Sequence, residues 1–255
     1  IFTQVLYDTK ISVGPPFYNS VIAPIIIPFL IMMAIGPRLN WIKQKYNDFK
    51  SLIFILILSC VINFLIFSFL KSYNLLSNLI IISSLFLILY SLKDFIINSK
   101  TKSYYNLPSF LSHTGFGILM LFIILNHNFS KEYDLNIKVG ETKKIDNIEI
   151  KFEDLKIEKR ENYNAIIGNF NILDLKKNYR KNLNPEIRIY NNPQTLTFES
   201  AIKTNLQQDL YLTMSNIDGS DFYNVKFQIK PFMLWIWFAA LLTASGGLLR
   251  TFLKK

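Results

Sequence analysis

Residues 107–137 read LPSFLSHTGFGILMLFIILNHNFSKEYDLNI, and the fold turns on how this stretch divides. From Leu107 to Asn126 it carries no charged residue, about the 20 residues that a helix needs to cross a hydrocarbon layer. After His127 the charges return, and Leu135, Ile137 and Val139 alternate with polar neighbours, which is the period of a half-buried strand. A membrane helix therefore hands over to a β domain within one short segment.

Working outward, comparable apolar runs start near Phe17, Leu52, Leu75 and Phe232, which predicts five spans in all. The expected fold is an α-helical polytopic membrane protein with a small all-β extramembrane domain, a barrel or sandwich, inserted before the last span. Its parts are an extracytoplasmic lead-in at 1–16, a four-span helical region at 17–126, an extracytoplasmic β domain at 127–230, and a last span with a basic tail at 231–255.

The formal net charge is +10, and its distribution separates these parts. From His127 to Lys230 there are 16 Lys/Arg against 15 Asp/Glu, whereas the remainder holds 12 against 3. A near-neutral polar domain argues against nucleic acid, which requires a clustered cationic face. The excess instead marks one side of the membrane. Arg38, Lys43, Lys45 and Lys50 follow the first span; Lys93, Lys100 and Lys102 follow the third; Arg250, Lys254 and Lys255 follow the fifth. Alternating spans put all three groups on the cytoplasm-like side and the β domain on the other.

The segment SVGPPFYN places Pro15 and Pro16 where a helix can start without losing a needed donor. Spans two and three, joined by Lys71-Ser72-Tyr73-Asn74, read as a helical hairpin, with Asn63 and Asn78 placed to bond across it. The single cysteine, Cys60, lies mid-span and is expected to be a buried thiol; alone it can form neither an intrachain disulfide nor a Cys-based metal site. In the β domain, alternation continues through Ile148, Ile150 and Phe152, through Ile166, Gly168, Phe170 and Ile172, and through Leu210, Leu212 and Met214. Asp218-Gly219 supplies a turn before a final strand at Phe222–Ile229. This domain lacks cysteine, and its one histidine, His127, sits at the membrane edge. Its carboxylates alternate with lysines as on a solvated strand face, so a docking or spacing role is expected of it.

His113 is the residue that asks for a function, because ionisable groups inside a span are costly and tend to be functional. It lies six residues into its span, roughly 9 Å from the helix start. Helical spacing puts Ser109, Phe110, Phe116, Gly117 and Met120 on its face, a surface suited to a flat apolar ring such as a haem with an axial histidine. The competing reading is close helix packing at Ser112, Thr114, Gly115 and Gly117, with the imidazole bonded to a neighbour. His127 lies fourteen residues further on, roughly 21 Å along the same helix, too far to ligate the same iron.

The segments SVGPPFYN, LPSFLSHTGFGILML, GETKKIDNIEIKFEDLKIEKRENYNA and KPFMLWIWFAALLTASGGLL, in this order and spacing, resemble the carboxy-terminal part of the CcmF family, the membrane haem lyases of cytochrome c maturation. The resemblance covers nearly the whole chain. It implies a lyase that attaches haem, delivered by the chaperone CcmE, to apocytochrome c presented by a CcmH-type subunit, in a bacterial cytoplasmic (inner) or mitochondrial inner membrane with the β domain in the periplasm or intermembrane space. It further implies a haem b that passes electrons from quinol and is held by two histidines from different spans. His113 matches one of these, with Phe116, Gly117 and Met120 as its cofactor-binding neighbours. The family's tryptophan-rich segment, its substrate-haem histidines and the other haem b ligand precede the region seen here. The chain is therefore expected to be a fragment or a split-gene product that works with the amino-terminal half and membrane lipid. Trp235 and Trp237 read as interface anchors and no substitute for that segment.

Two readings from other classes compete. A noncatalytic membrane anchor displaying a β docking domain explains the layout and leaves His113 unexplained. A transporter fragment would put charges at the midplane, but Lys93 and Asp94 lie at a span end.

Overall fold

The computed structural model describes residues 15–38, 46–68, 74–176 and 179–253. They belong to two compact units, one running to Asn128 and resuming at Trp235, the other Phe129–Leu234. The lead-in through Gly14, the Lys71–Tyr73 turn, and Lys43, Lys45, Lys254 and Lys255 lie outside the described residues.

The helical unit contains α1 (Pro15–Ile35), α2 (Tyr46–Phe67), α3 (Leu75–Phe129) and α4 (Met233–Phe252). Pro15 and Pro16 start α1, where a missing N–H costs no bond. Asn74 caps α3, its Oδ1 accepting from the backbone N–H of Leu76 at 3.0 Å. Four segments are long and apolar enough to cross a membrane: Phe49–Phe67, Leu75–Ile97, Leu107–Phe129 and Met233–Phe252; α1 adds a shorter apolar stretch at Pro24–Ile35.

Two expected spans, the third and fourth, fall in the single 55-residue helical assignment α3. A straight helix of that length would extend roughly 80 Å, far beyond a bilayer, but its side-chain contacts show that it folds back on itself. Phe95 stacks on Phe110 with ring centroids 4.4 Å apart, and Ser77 Oγ donates to Asn128 Oδ1 at 3.4 Å. Between these, a Cβ added at Gly117 would sit 2.7 Å from Ile88 Cγ1 and 3.2 Å from the Ser84 carbonyl oxygen. These pairs run in opposite directions along the sequence, which defines two antiparallel arms, 75–97 and 107–129.

α2 lies antiparallel to the first arm, and Asn63 Nδ2 donates to Asn78 Oδ1 at 3.3 Å, the cross-helix bond expected from the sequence. α4 runs antiparallel to the second arm: Ser112 Oγ donates to the Thr243 carbonyl at 3.4 Å, and Phe122 stacks on Trp235. Leu30, Ala34, Ile55, Phe86, Leu87 and Tyr90 form the buried core among α1, α2 and the first arm. Cys60 departs from expectation: it is exposed on the outer surface of α2, because its helix buries the opposite side, with Ile55, Ser59 and Asn63. A mid-span position alone does not distinguish a core-facing from a lipid-facing side chain.

The β unit is built from β1 (Lys131–Ile137), β2 (Thr142–Ile145), β3 (Ile148–Lys159), β4 (Tyr163–Asp174), β5 (Tyr179–Leu183), β6 (Glu186–Asn191), β7 (Gln194–Glu199), β8 (Ala201–Thr204), β9 (Gln208–Asn216) and β10 (Tyr223–Pro231). They form two antiparallel sheets, β1-β10-β9-β8 and β2-β3-β4-β6-β7, with β5 also paired to β4. Phe152 on β3 stacks on Phe170 on β4 at 4.1 Å, and Tyr223 of the other sheet meets Phe152 edge-on at 5.5 Å. A Cβ at Gly168 would lie 2.8 Å from Met214 Sδ, so the glycine lets the sheets approach.

The strongly alternating runs become β1, β3, β4, β9 and β10. Val139 differs from the pattern: it is exposed in the turn after β1, where Glu141 N donates to the Lys138 carbonyl. Gly140 in that turn takes φ +84° and Gly219 takes +73°, the left-handed region that glycine enters without strain.

Candidate functional site

His113 is half-buried on the second arm of α3, and among the described residues its imidazole makes no hydrogen bond or ion pair. Its direction follows from the contacts of its helical neighbours. On a helix turning about 100° per residue, Phe110 and Gly117 lie about 40–60° to one side of it and Phe116 about 60° to the other. Phe110 and Gly117 touch the first arm, at Phe95 and Ile88, while Phe116 packs edge-on against Phe29 of α1 at 5.8 Å. His113 therefore occupies the inward sector between those two elements. One turn earlier, Ser109 is exposed; two turns later, Met120 packs with Phe116 against the buried core. The imidazole thus stands where the bundle passes from open to packed.

The small residues around it divide between two helix contacts. A Cβ at Gly115 would sit 2.7 Å from Thr243 N, and one at Gly246 would sit 2.6 Å from both the Pro108 carbonyl oxygen and Ser112 N. Gly115, Ser112 and Gly246 thus make the close approach of α4 possible. Gly117 does the same for the first arm, with Ile88 filling the space beside it. Such small-residue contacts let helices pack in lipid, where no hydrophobic force drives them together. Sequence spacing marked the glycines; their partners Ser84, Ile88, Thr243 and Gly246 carried no signal of their own.

An imidazole that is partly accessible and, among the described residues, makes no hydrogen bond can ligate iron through one ring nitrogen. Phe116 and Met120 would flank a ring held there. Gly117 does not present open backbone to such a ring, because the first arm occupies its surface. His127 is exposed in the last turn of the helix, and Trp235 and Trp237 are partly exposed near the start of α4.

The β unit has two adjoining cavities of about 380 and 290 Å³ that share Ile148, Asp174, Gln208 and Ile229. Phe129 and Phe232, where the chain enters and leaves the unit, line the larger one. At its rim Tyr133 donates to Asp146 at 2.8 Å, and Lys131 pairs with the same carboxylate at 3.8 Å. Burial and the Asp146 charge push the Tyr133 phenol up to about 12. Burial likewise raises the Asp209 carboxyl, which is almost fully enclosed on β9. Lys226 and Gln228 donate to Glu132 and hold it below the usual carboxylate range. These groups are tied into the sheets, and among the described residues no three His, Cys, Asp or Glu side chains gather as a metal site.

Comparison with known proteins agrees with this layout. The family model described as the CcmF C-terminal beta-sandwich matches residues 128–231. The chain is 29% identical over 264 residues to the cytochrome c-type biogenesis protein CcmF of Haemophilus influenzae, covering 96% of this chain and 40% of that protein. To CcmF of Escherichia coli it is 25% identical over 250 residues, covering 95% and 38%. A solved structure, Cytochrome c Heme Lyase CcmF, shares the fold with a TM-score of 0.78 at 17% identity, over 98% of this chain and 41% of that one. The chain thus spans about two fifths of the length of the relatives it matches.

Proposed function

We propose that this chain, similar over nearly its whole length to the carboxy-terminal part of CcmF proteins, is the corresponding part of a cytochrome c haem lyase, and that His113 would hold a haem b in its membrane section. The observation that carries this reading is the half-buried imidazole, directed inward between helices and without a hydrogen-bond partner among the described residues. A histidine kept in a span for packing would satisfy its N–H within the bundle, because an unpaired polar group in hydrocarbon is costly.

When bound, a haem with two histidine ligands supplies a one-electron couple within the membrane. The chain's own contribution is to fix the ring. Gly115 and Gly117 lock the second arm of α3 between α4 and the first arm, and this sets the rotation of the helix that carries His113. Phe116 is held by Phe29 and Met120 by the core, so both offer fixed apolar surface beside it. The second ligand comes from the amino-terminal part of the lyase. In this reading electrons enter from quinol, and the assembled enzyme joins haem carried by CcmE to apocytochrome c presented by a CcmH-type subunit. The site lies in the bacterial inner membrane or its mitochondrial counterpart, with the β unit on the periplasmic or intermembrane-space side and serving as a docking module for these partners.

The test is the absorption spectrum of the chain purified together with the amino-terminal part. A b-type spectrum is expected, weakened in His113→Ala, and in His113→Gly restored by added imidazole. Restoration separates loss of a ligand from loss of fold. An unchanged b-type spectrum in both variants rejects the ligand assignment.

A further inference from the structure

We draw no further inference here: the strongest candidate, the pair of adjoining cavities lined from both sheets of the β unit at Ile148, Asp174, Gln208 and Ile229, carries nothing, because nothing in the structure shows what fills them.

Discussion

The two units are held together by different forces. The β unit closes a core of its own: Ile137, Ile150, Phe152, Phe170, Leu212, Met214, Val225 and Phe227 are fully or almost fully buried between its sheets. In the helical unit more than half of the most apolar part of Leu75–Ile97 is buried, against less than a fifth for Phe49–Phe67, Leu107–Phe129 and Met233–Phe252. One central helix is thus surrounded by others that turn most of their apolar surface outward. In water that exposure would be ruinous; in lipid it costs nothing, and stability comes from close contact at small residues. The comparison teaches that a buried phenylalanine carries the energy of one unit and a glycine that of the other.

The largest effect that would sharpen this contrast is expected in the β core. Phe152→Ala removes a ring stacked on Phe170 and met by Tyr223, and should destabilise the β unit by about 3–5 kcal/mol, read as a lower denaturation midpoint of the β-sheet circular dichroism of the full chain in detergent. A loss no larger than that of a surface substitution would break the comparison. A middling effect is expected at the α4 contact. Gly246→Leu forces a side chain against the Pro108 carbonyl and Ser112 and should cost about 1–3 kcal/mol in helical stability. Gly247→Leu, which meets nothing within 4 Å, should stay within about 0.5 kcal/mol of the parent. Equal effects of the two would show that α4 is not seated through Gly246.

The smallest effect is confined to alkaline pH. The Tyr133 phenol is raised from its ordinary value near 10 to about 12 in the fold. Its neutral form therefore contributes stability that is fully present below pH 10 and is lost as the pH rises through about 12. Ultraviolet titration should show that Tyr133→Phe removes a phenolate transition near pH 12; removal of one near pH 10 instead would mean that the Asp146 contact is not formed.

How far the sequence could be read differs between the units for the same reason. Strands with strict alternation, such as Ile148-Ile150-Phe152 and Leu210-Leu212-Met214, were legible because a sheet with one buried face imposes period two. β5 to β8 were not, since edge strands and short partners such as Gln194–Glu199 leave much of both faces exposed and the alternation fades. In the helices, apolar length announced the spans, and it announced nothing about facing. Cys60 was expected inside and lies outside, because in a span both surfaces are apolar and the pattern that separates core from solvent is lost.

Sequence by itself determined that a chain of apolar runs carries a polar, strand-rich insert before its last run, that its excess positive charge lies outside that insert, and that one histidine lies within an apolar run. Only the tertiary structure decided that the arms of α3 pack against each other, that Gly117 belongs to Ile88 and Gly115 to Thr243, and that His113 faces inward between the first arm and α1. The reason is physical. Composition and period register transfer between water and lipid, which each residue undergoes alone, whereas the rotation of a helix is fixed by which surfaces fit against which, and that depends on pairs of residues far apart in the chain.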